Sequence, residues 1–429
     1  MEQPTVGKTI TAPTSKKEVG AVSPAPFLSP FPLITVYIAS FFFSLHTALT
    51  SYIDSSFLST IFPGGITTPW GTIHEPIGII FAAGSLFMLI SLSYAPRILR
   101  RLGNHNTTLA FIVTEILLLA AMAHFKSAVF SAFIFAAHLA TLPLIRFSLD
   151  VFLESATPDS STGTIRGIFL TAGNFAWVLA PLTIGFFLTD SDYWKIYIAA
   201  AALMIPVWYL VAAKLHFFHD PQYEKSRFWR SAKALMSNKR IRHVFISDFL
   251  LWFFYAWMDI YMPLYLHTYV GFSWPEIGLI FSVMLLPFVI FQYPLGRLAD
   301  KSLGEKELLI GGFLIMAVSS ILVGASSTLT APVIFAWMGA LFFTRIGAST
   351  VEVMDETYFF KNIDGTNSHI LSFHRNAGPL ALLIAPLTAS IIFEIRGGHT
   401  AIDFRFLFVF LGVVMLLGVW NALLMEDTN

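Results

Sequence analysis

Twelve stretches of about 20 apolar residues each, arranged as six, a polar gap and six more, leave this chain few folds to choose from. A segment crossing lipid must satisfy every backbone N–H and C=O by itself, which only helices and closed barrels achieve. Barrel strands would alternate polar and apolar residues over about ten positions, and these runs do not. They cover 32–58, 76–99, 108–124, 128–152, 166–188 and 193–213 before the gap. After it they cover 243–267, 274–298, 307–326, 331–353, 369–394 and 403–424. The pattern predicts an all-α integral membrane protein of twelve transmembrane helices in two six-helix bundles.

Composition agrees with that reading. Only 12% of the 429 residues are charged, against about a quarter in a soluble domain. Mean hydropathy is +0.70. Net formal charge is zero, so no basic field points to nucleic acid. There is no cysteine, which excludes disulfides, thiolate metal sites and cysteine nucleophiles.

Four regions follow. Residues 1–30, rich in Pro, Ser, Thr and Gly, read as a disordered cytoplasmic tail. The first apolar run is too long for a secretory h-region of about 7–15 residues and lacks a small-residue cleavage site, so it stays as a helix. Residues 31–213 form the first bundle, 214–242 a cytoplasmic linker, and 243–429 the second bundle. Within the linker, Phe228, Ala232, Leu235 and Met236 share one helical face, and Lys225, Arg227, Arg230 and Lys233 take much of the rest. That is a basic amphipathic helix, expected to lie on the inner membrane surface.

Loop charges set the orientation. Lys8, Lys16, Lys17, Arg97, Arg100, Arg101, Arg166, the 214–242 cluster, Arg297, Lys301, Lys306 and Lys361 fall on one side. Lys126, Lys195, Arg396 and Arg405 fall on the other. Both termini are expected in the cytoplasm, and the protein in the plasma (inner) membrane.

The two halves repeat. Ile77-Gly78-Ile79-Ile80-Phe81 in the second run matches Ile277-Gly278-Leu279-Ile280-Phe281 in the eighth. Ala180-Pro181-Leu182-Thr183 in the fifth matches Ala385-Pro386-Leu387-Thr388 in the eleventh, and at that offset Gly173 falls on Gly378 and Asp150 on Asp355. Helix number and side are preserved, so the bundles are expected to be pseudo-symmetric, an architecture that places a substrate site between them near the midplane.

After the eighth run comes Gly296-Arg297-Leu298-Ala299-Asp300-Lys301-Ser302-Leu303-Gly304-Glu305-Lys306. This resembles the G-x-L-A-D-R/K-x-G-R/K signature of the major facilitator superfamily, with one extra residue before the second glycine. After the second run, Pro96-Arg97-Ile98-Leu99-Arg100-Arg101-Leu102-Gly103 keeps the frame with Pro for Gly and Arg100 for the acid. The resemblance implies a gating latch at Gly296, Asp300, Lys301 and Gly304. Glycine there allows a tight turn and close helix approach, and Asp300 can accept from a helix N-terminus. It further implies a secondary active transporter of a small solute, working by alternating access as a monomer without cofactors. The first, fourth, seventh and tenth helices would line its central cavity.

Ionisable residues within the runs mostly fall on those helices. An Arg, Lys or Asp at the bilayer centre costs about 2.5–3.5 kcal/mol on insertion scales, so each marks a pathway or a pair. Arg146 and Asp150 share one face of the fourth helix, Arg345 and Glu352 one face of the tenth. Glu352, Asp355 and Glu356 make an acidic patch at the tenth helix's inner end. His374 and Arg375 belong to the eleventh run, with Arg375 expected deep. Asp54 and His46 belong to the first, and Asp259 and Asp248 to the seventh. Asp259 or Asp150 is expected to change protonation during the cycle, making a proton the coupling ion. Glu115 in the third run either faces inward or pairs with His138.

Two other classes compete with this reading. An integral-membrane enzyme acting on lipids needs His, Asp or Glu converging at one interface, and no metal-ligand or nucleophile spacing occurs. A transport-inactive sensor of the same fold is suggested by Arg100. No phosphate loop is present, so a gradient must drive transport.

Overall fold

The computed structural model describes residues 31–69, 71–74, 76–156, 162–189, 192–220, 228–301, 303–326, 333–362, 374–397 and 400–426. The expected disordered tail, 1–30, lies outside them. Among the described residues are twelve helices long and apolar enough to cross a membrane. In the first half these are α1 Phe31–Ile61, α2 Pro76–Leu102, α3 Asn104–His124, α4 Ala128–Ser155, α5 Thr162–Phe187 and α6 Trp194–Lys214. In the second half α7 spans Lys239–Tyr265 and continues through a π-turn at Leu266–Val270. Then α8 runs in three pieces, Trp274–Leu285, Pro287–Ile290 and Gln292–Lys301. The last four are α9 Glu305–Ala325, α10 Ile334–Lys361, α11 Ala377–Arg396 and α12 Ala401–Leu423. The chain is a multi-pass, all-α membrane protein. Phe186, Phe335 and Ile395 are each at least four-fifths exposed, as lipid-facing side chains are.

Sequence sets several helix starts. The Asn238 side chain accepts from the Arg240 and Ile241 N–H groups at the start of α7. Reciprocal capping boxes, Ser273 with Glu276 and Thr400 with Asp403, open α8 and α12.

Between α1 and α2 lies a β-hairpin that the apolar pattern did not signal, β1 Ile66–Thr68 against β2 Gly71–Ile73. Three-residue strands are too short for a period-two signal. Gly65 enters it with φ +79°, and a Cβ there would stand 2.2 Å from the Ile73 carbonyl oxygen. We call this side of the molecule the hairpin end, and the opposite side, where the linker attaches, the linker end.

The linker does contain a helix, Phe228–Ser237. Its apolar face is divided: Leu235 is fully buried in the protein while Met236 is 43% exposed. Protein packing, as well as any membrane surface, therefore holds it.

The repeated pentapeptide and tetrapeptide turn out to face each other. A Cβ on Gly78 of α2 would lie 2.2 Å from the Pro386 carbonyl oxygen of α11, and one on Gly278 of α8 would lie 2.4 Å from that of Pro181 in α5. The same two seams are stitched by hydroxyls. Ser85 donates to the Leu382 carbonyl at 3.0 Å and Ser282 to that of Val178 at 2.8 Å. Leu382 sits four residues before Pro386, whose missing N–H leaves that carbonyl without a helical partner, so Ser85 replaces the lost bond.

Buried apolar residues divide unevenly between the ends. One continuous cluster runs through the second bundle and across into the hairpin-end half of the first, taking in Leu49, Tyr52, Phe57, Ile80 and Phe135. A separate cluster, with Phe43, Ile112, Leu149, Phe169 and Val211, fills the linker-end half of the first bundle alone. The two cores are fused at the hairpin end and distinct at the linker end.

Candidate functional site

Helix α10 carries Arg345 toward α7, where it is 2% exposed. Its guanidinium lies 3.1 Å from Asp259 Oδ1 and stands over the rings of Phe254 and Tyr255, each centroid 5.3 Å away. Nε of Arg345 has no hydrogen-bond partner. Seven residues along α10, two turns, Glu352 accepts from the Tyr255 hydroxyl at 2.7 Å. One face of α10 thus presents a cation and an acid to one stripe of α7, and Tyr255 touches both.

This centre faces the first bundle. Tyr52 of α1 lies within electrostatic reach of Asp259 and Arg345. The Tyr52 ring packs on Phe281 of α8 at 5.2 Å and on Trp177 of α5 at 5.8 Å. Asp259 is a quarter exposed, so its carboxylate is reachable while its partner's charge is sealed from solvent. The arrangement combines a fixed buried cation with a carboxylate that opens onto the seam. No sequence pattern marked Tyr52, because its charged neighbours lie more than two hundred residues away.

At the linker end the halves meet through charge. Arg375 lies 3.6 Å from Asp150 of α4, and Arg146 lies 3.8 Å from the other oxygen of the same carboxylate. The Arg146 and Asp150 pairing expected from their spacing is present. Arg375 is not deep: α11 begins at Ala377, so Arg375 sits in the turn before it and is 41% exposed. Pro379 in the first turn of α11 favours a helix start there, since a first-turn N–H has no helical partner to lose.

His374, the residue before that turn, lies 3.5 Å from Asp248 of α7 and 3.9 Å from Asp355 of α10. These three residues, from three separate elements, are the described group whose ligand atoms converge within 4.8 Å. Spacing along the chain could not reveal a set assembled from positions 248, 355 and 374.

Asp54 does not join these centres. It accepts from the Tyr197 hydroxyl of α6 at 2.9 Å, inside the first bundle. Its other oxygen is 4.0 Å from His138, whose Nδ1 is 2.6 Å from Glu115; His46 is 3.1 Å from the same Glu115 oxygen. Glu115 therefore pairs with His138, as one of its two expected placements had it, and with His46 as well. His46 Nδ1 faces the Ala200 carbonyl at 3.2 Å, which only accepts, so that nitrogen carries a proton.

Of the gating motif, the side chains of Asp300 and Lys301 lie outside the described set. Gly296 has open space around its Cβ position, so no close helix approach requires glycine there. Gly304, the residue before α9, has φ −67° and ψ 164°, a conformation open to any residue. Glu305 beside it is buried and paired with Lys361 at the end of α10.

Residues 244–428 match the family model of the Major Facilitator Superfamily. Over 91% of this chain and 99% of the other, the structure resembles that of a point mutant of the nucleoside transporter NupG, with a TM-score of 0.72 at 11% identity. A bacterial homologue of the human lysosomal transporter Spinster aligns over 92% of this chain and 97% of its own, with a TM-score of 0.71 at 9% identity. PepTSo, a transporter of the POT family, aligns over 93% of this chain and 99% of its own, with a TM-score of 0.68 at 14% identity. Comparison with curated protein sequences finds no match. The fold is an all-α, twelve-helix membrane architecture that these transporters share. The second half of the chain matches the Major Facilitator Superfamily by sequence, and the chain along nine-tenths of its length shares the fold of these transporters.

Proposed function

We propose that this protein is a secondary active transporter that carries a small solute across the plasma membrane by rocking its two bundles about the Asp259–Arg345 centre, with a proton as the coupling ion. The observation that carries this reading is the uneven core: apolar packing joins the bundles at the hairpin end and leaves them separate at the linker end. Such a molecule opens at one face while sealed at the other. On the loop-charge argument the linker end is cytoplasmic, with both termini on that side.

Asp259 supplies the proton step. Ionised, it is held by Arg345 at 3.1 Å; protonated, it releases the guanidinium to a solute anion. One proton thus exchanges for one solute contact. An anionic or zwitterionic solute fits, and nucleosides and peptides belong in the panel because structural neighbours, a nucleoside transporter and a POT family peptide transporter, are named for them. A monomer suffices, since both bundles lie in one chain.

Proteoliposomes with a trapped pH-sensitive dye test this reading. Solute-dependent proton entry that Asp259→Asn abolishes, while solute exchange without a gradient persists, is the expected result. Lipid turnover by the purified protein, or solute flux with no proton movement in the wild type, overturns it.

A further inference from the structure

We infer that Asp248, Asp355 and His374 form a binding site for a divalent first-row transition cation at the linker end of the second bundle. The ligand set is two carboxylates and one imidazole, brought from α7, α10 and the residues before α11, with ligand atoms inside 4.8 Å of one another. Around an ion bonded at about 2.0–2.2 Å, neighbouring ligand atoms stand about 3–3.5 Å apart. The arms therefore close by about an ångström on binding.

A second observation points into the site. The Asp355 side chain is 4% exposed, yet its Oδ1 has no hydrogen-bond partner, and neither has Nε2 of His374. A buried carboxylate without donors lacks what ordinarily makes its burial tolerable. The charged groups acting on Asp355 are Asp248 and Glu356, both acidic, and those acting on Asp248 are Glu352 and Glu356. His374 feels Arg375, but Arg375 is turned toward Asp150 across the seam. Two carboxylates thus meet one imidazole, with Glu352 and Glu356 adding negative charge nearby, and a divalent cation supplies the charge that the protein does not.

The mixed oxygen and nitrogen set selects the ion. Carboxylates alone suit Mg2+, Ca2+ or Mn2+, whereas an imidazole adds a preference for Zn2+, Fe2+ and their first-row neighbours. A bound ion ties α7, α10 and the start of α11 together. It also fixes the residue before Arg375, so occupancy strengthens the Asp150–Arg375 contact that joins the halves at this end.

Full-length protein, with its purification tag cleaved and stripped by chelator in detergent, is titrated with Mn2+ and studied by pulsed electron paramagnetic resonance. A single Mn2+ whose spectrum shows nitrogen modulation is expected, with Zn2+ displacing it. Asp355→Asn is expected to weaken binding at least about 10-fold. His374→Asp, which keeps three oxygen ligands, is expected to keep the ion and lose the nitrogen signal. Absence of a bound ion in the wild type overturns the inference. So does affinity unchanged by Asp355→Asn, or nitrogen modulation that survives His374→Asp. None of these readouts depends on transport.

Discussion

Arg345 can be 2% exposed because everything around it answers its charge: a carboxylate at 3.1 Å and two aromatic faces at 5.3 Å. Removing one partner of such a pair leaves the other uncompensated, which is where large energetic effects arise. The same logic applies to Glu115, fully buried between His46 and His138. Glu115→Ala is expected to cost about 3–5 kcal/mol, since it strands two imidazoles in the core. Thermal unfolding in detergent measures this; a loss under about 1 kcal/mol would show that the histidines find other partners. The Glu115–His138 pair was legible as one of two alternatives because both residues are polar positions in apolar runs. Tyr197 was not, because its partner Asp54 is 143 residues away and nothing local distinguishes that tyrosine from a core aromatic.

At the scale of helices, the seams α2 with α11 and α5 with α8 rest on a glycine facing a proline carbonyl in each case. The sequence repeat pointed to these four segments as equivalent, but not to their being each other's neighbours. Internal similarity reports ancestry within each half, whereas contact depends on how the halves are docked. Gly78→Ala and Gly278→Ala each place a methyl within 2.5 Å of a backbone oxygen, which must push the helices apart. Each is expected to destabilise the protein by about 1–3 kcal/mol, and the pair to act additively because the seams share no side chain. Unfolding transitions of the single and double variants check this. Unchanged stability in both singles would mean the bundles already stand further apart in the membrane. Most helix bounds were legible to a few residues from apolar runs, but α10 continues to Lys361, well past its run, because its charged inner end is not apolar. The start of α11 was not legible either, since Ile370, Leu371 and Phe373 place apolar residues ahead of Ala377 and blur the boundary.

The molecule as a whole is two helix bundles whose shared apolar core reaches only part of their height. Twelve spans and their order followed from apolar length, because lipid imposes one hard constraint on every crossing segment. The charged centres followed only as candidates. Asp259 meets Arg345, Asp150 meets Arg375 and Glu352 meets Tyr255, partnerships between separate elements that no spacing encodes. The central claim is that the hairpin end and the linker end open alternately. The chain has no cysteine, so spin labels can be attached at chosen exposed positions without altering a native thiol. Distances between labels at Thr60 and Thr268 would report the hairpin ends of α1 and α7, and those at Ser155 and Phe360 the linker ends of α4 and α10. Under an imposed proton gradient with transported solute, the account predicts that the first distance lengthens as the second shortens. Two distances that stay fixed, or that lengthen and shorten together, would contradict it.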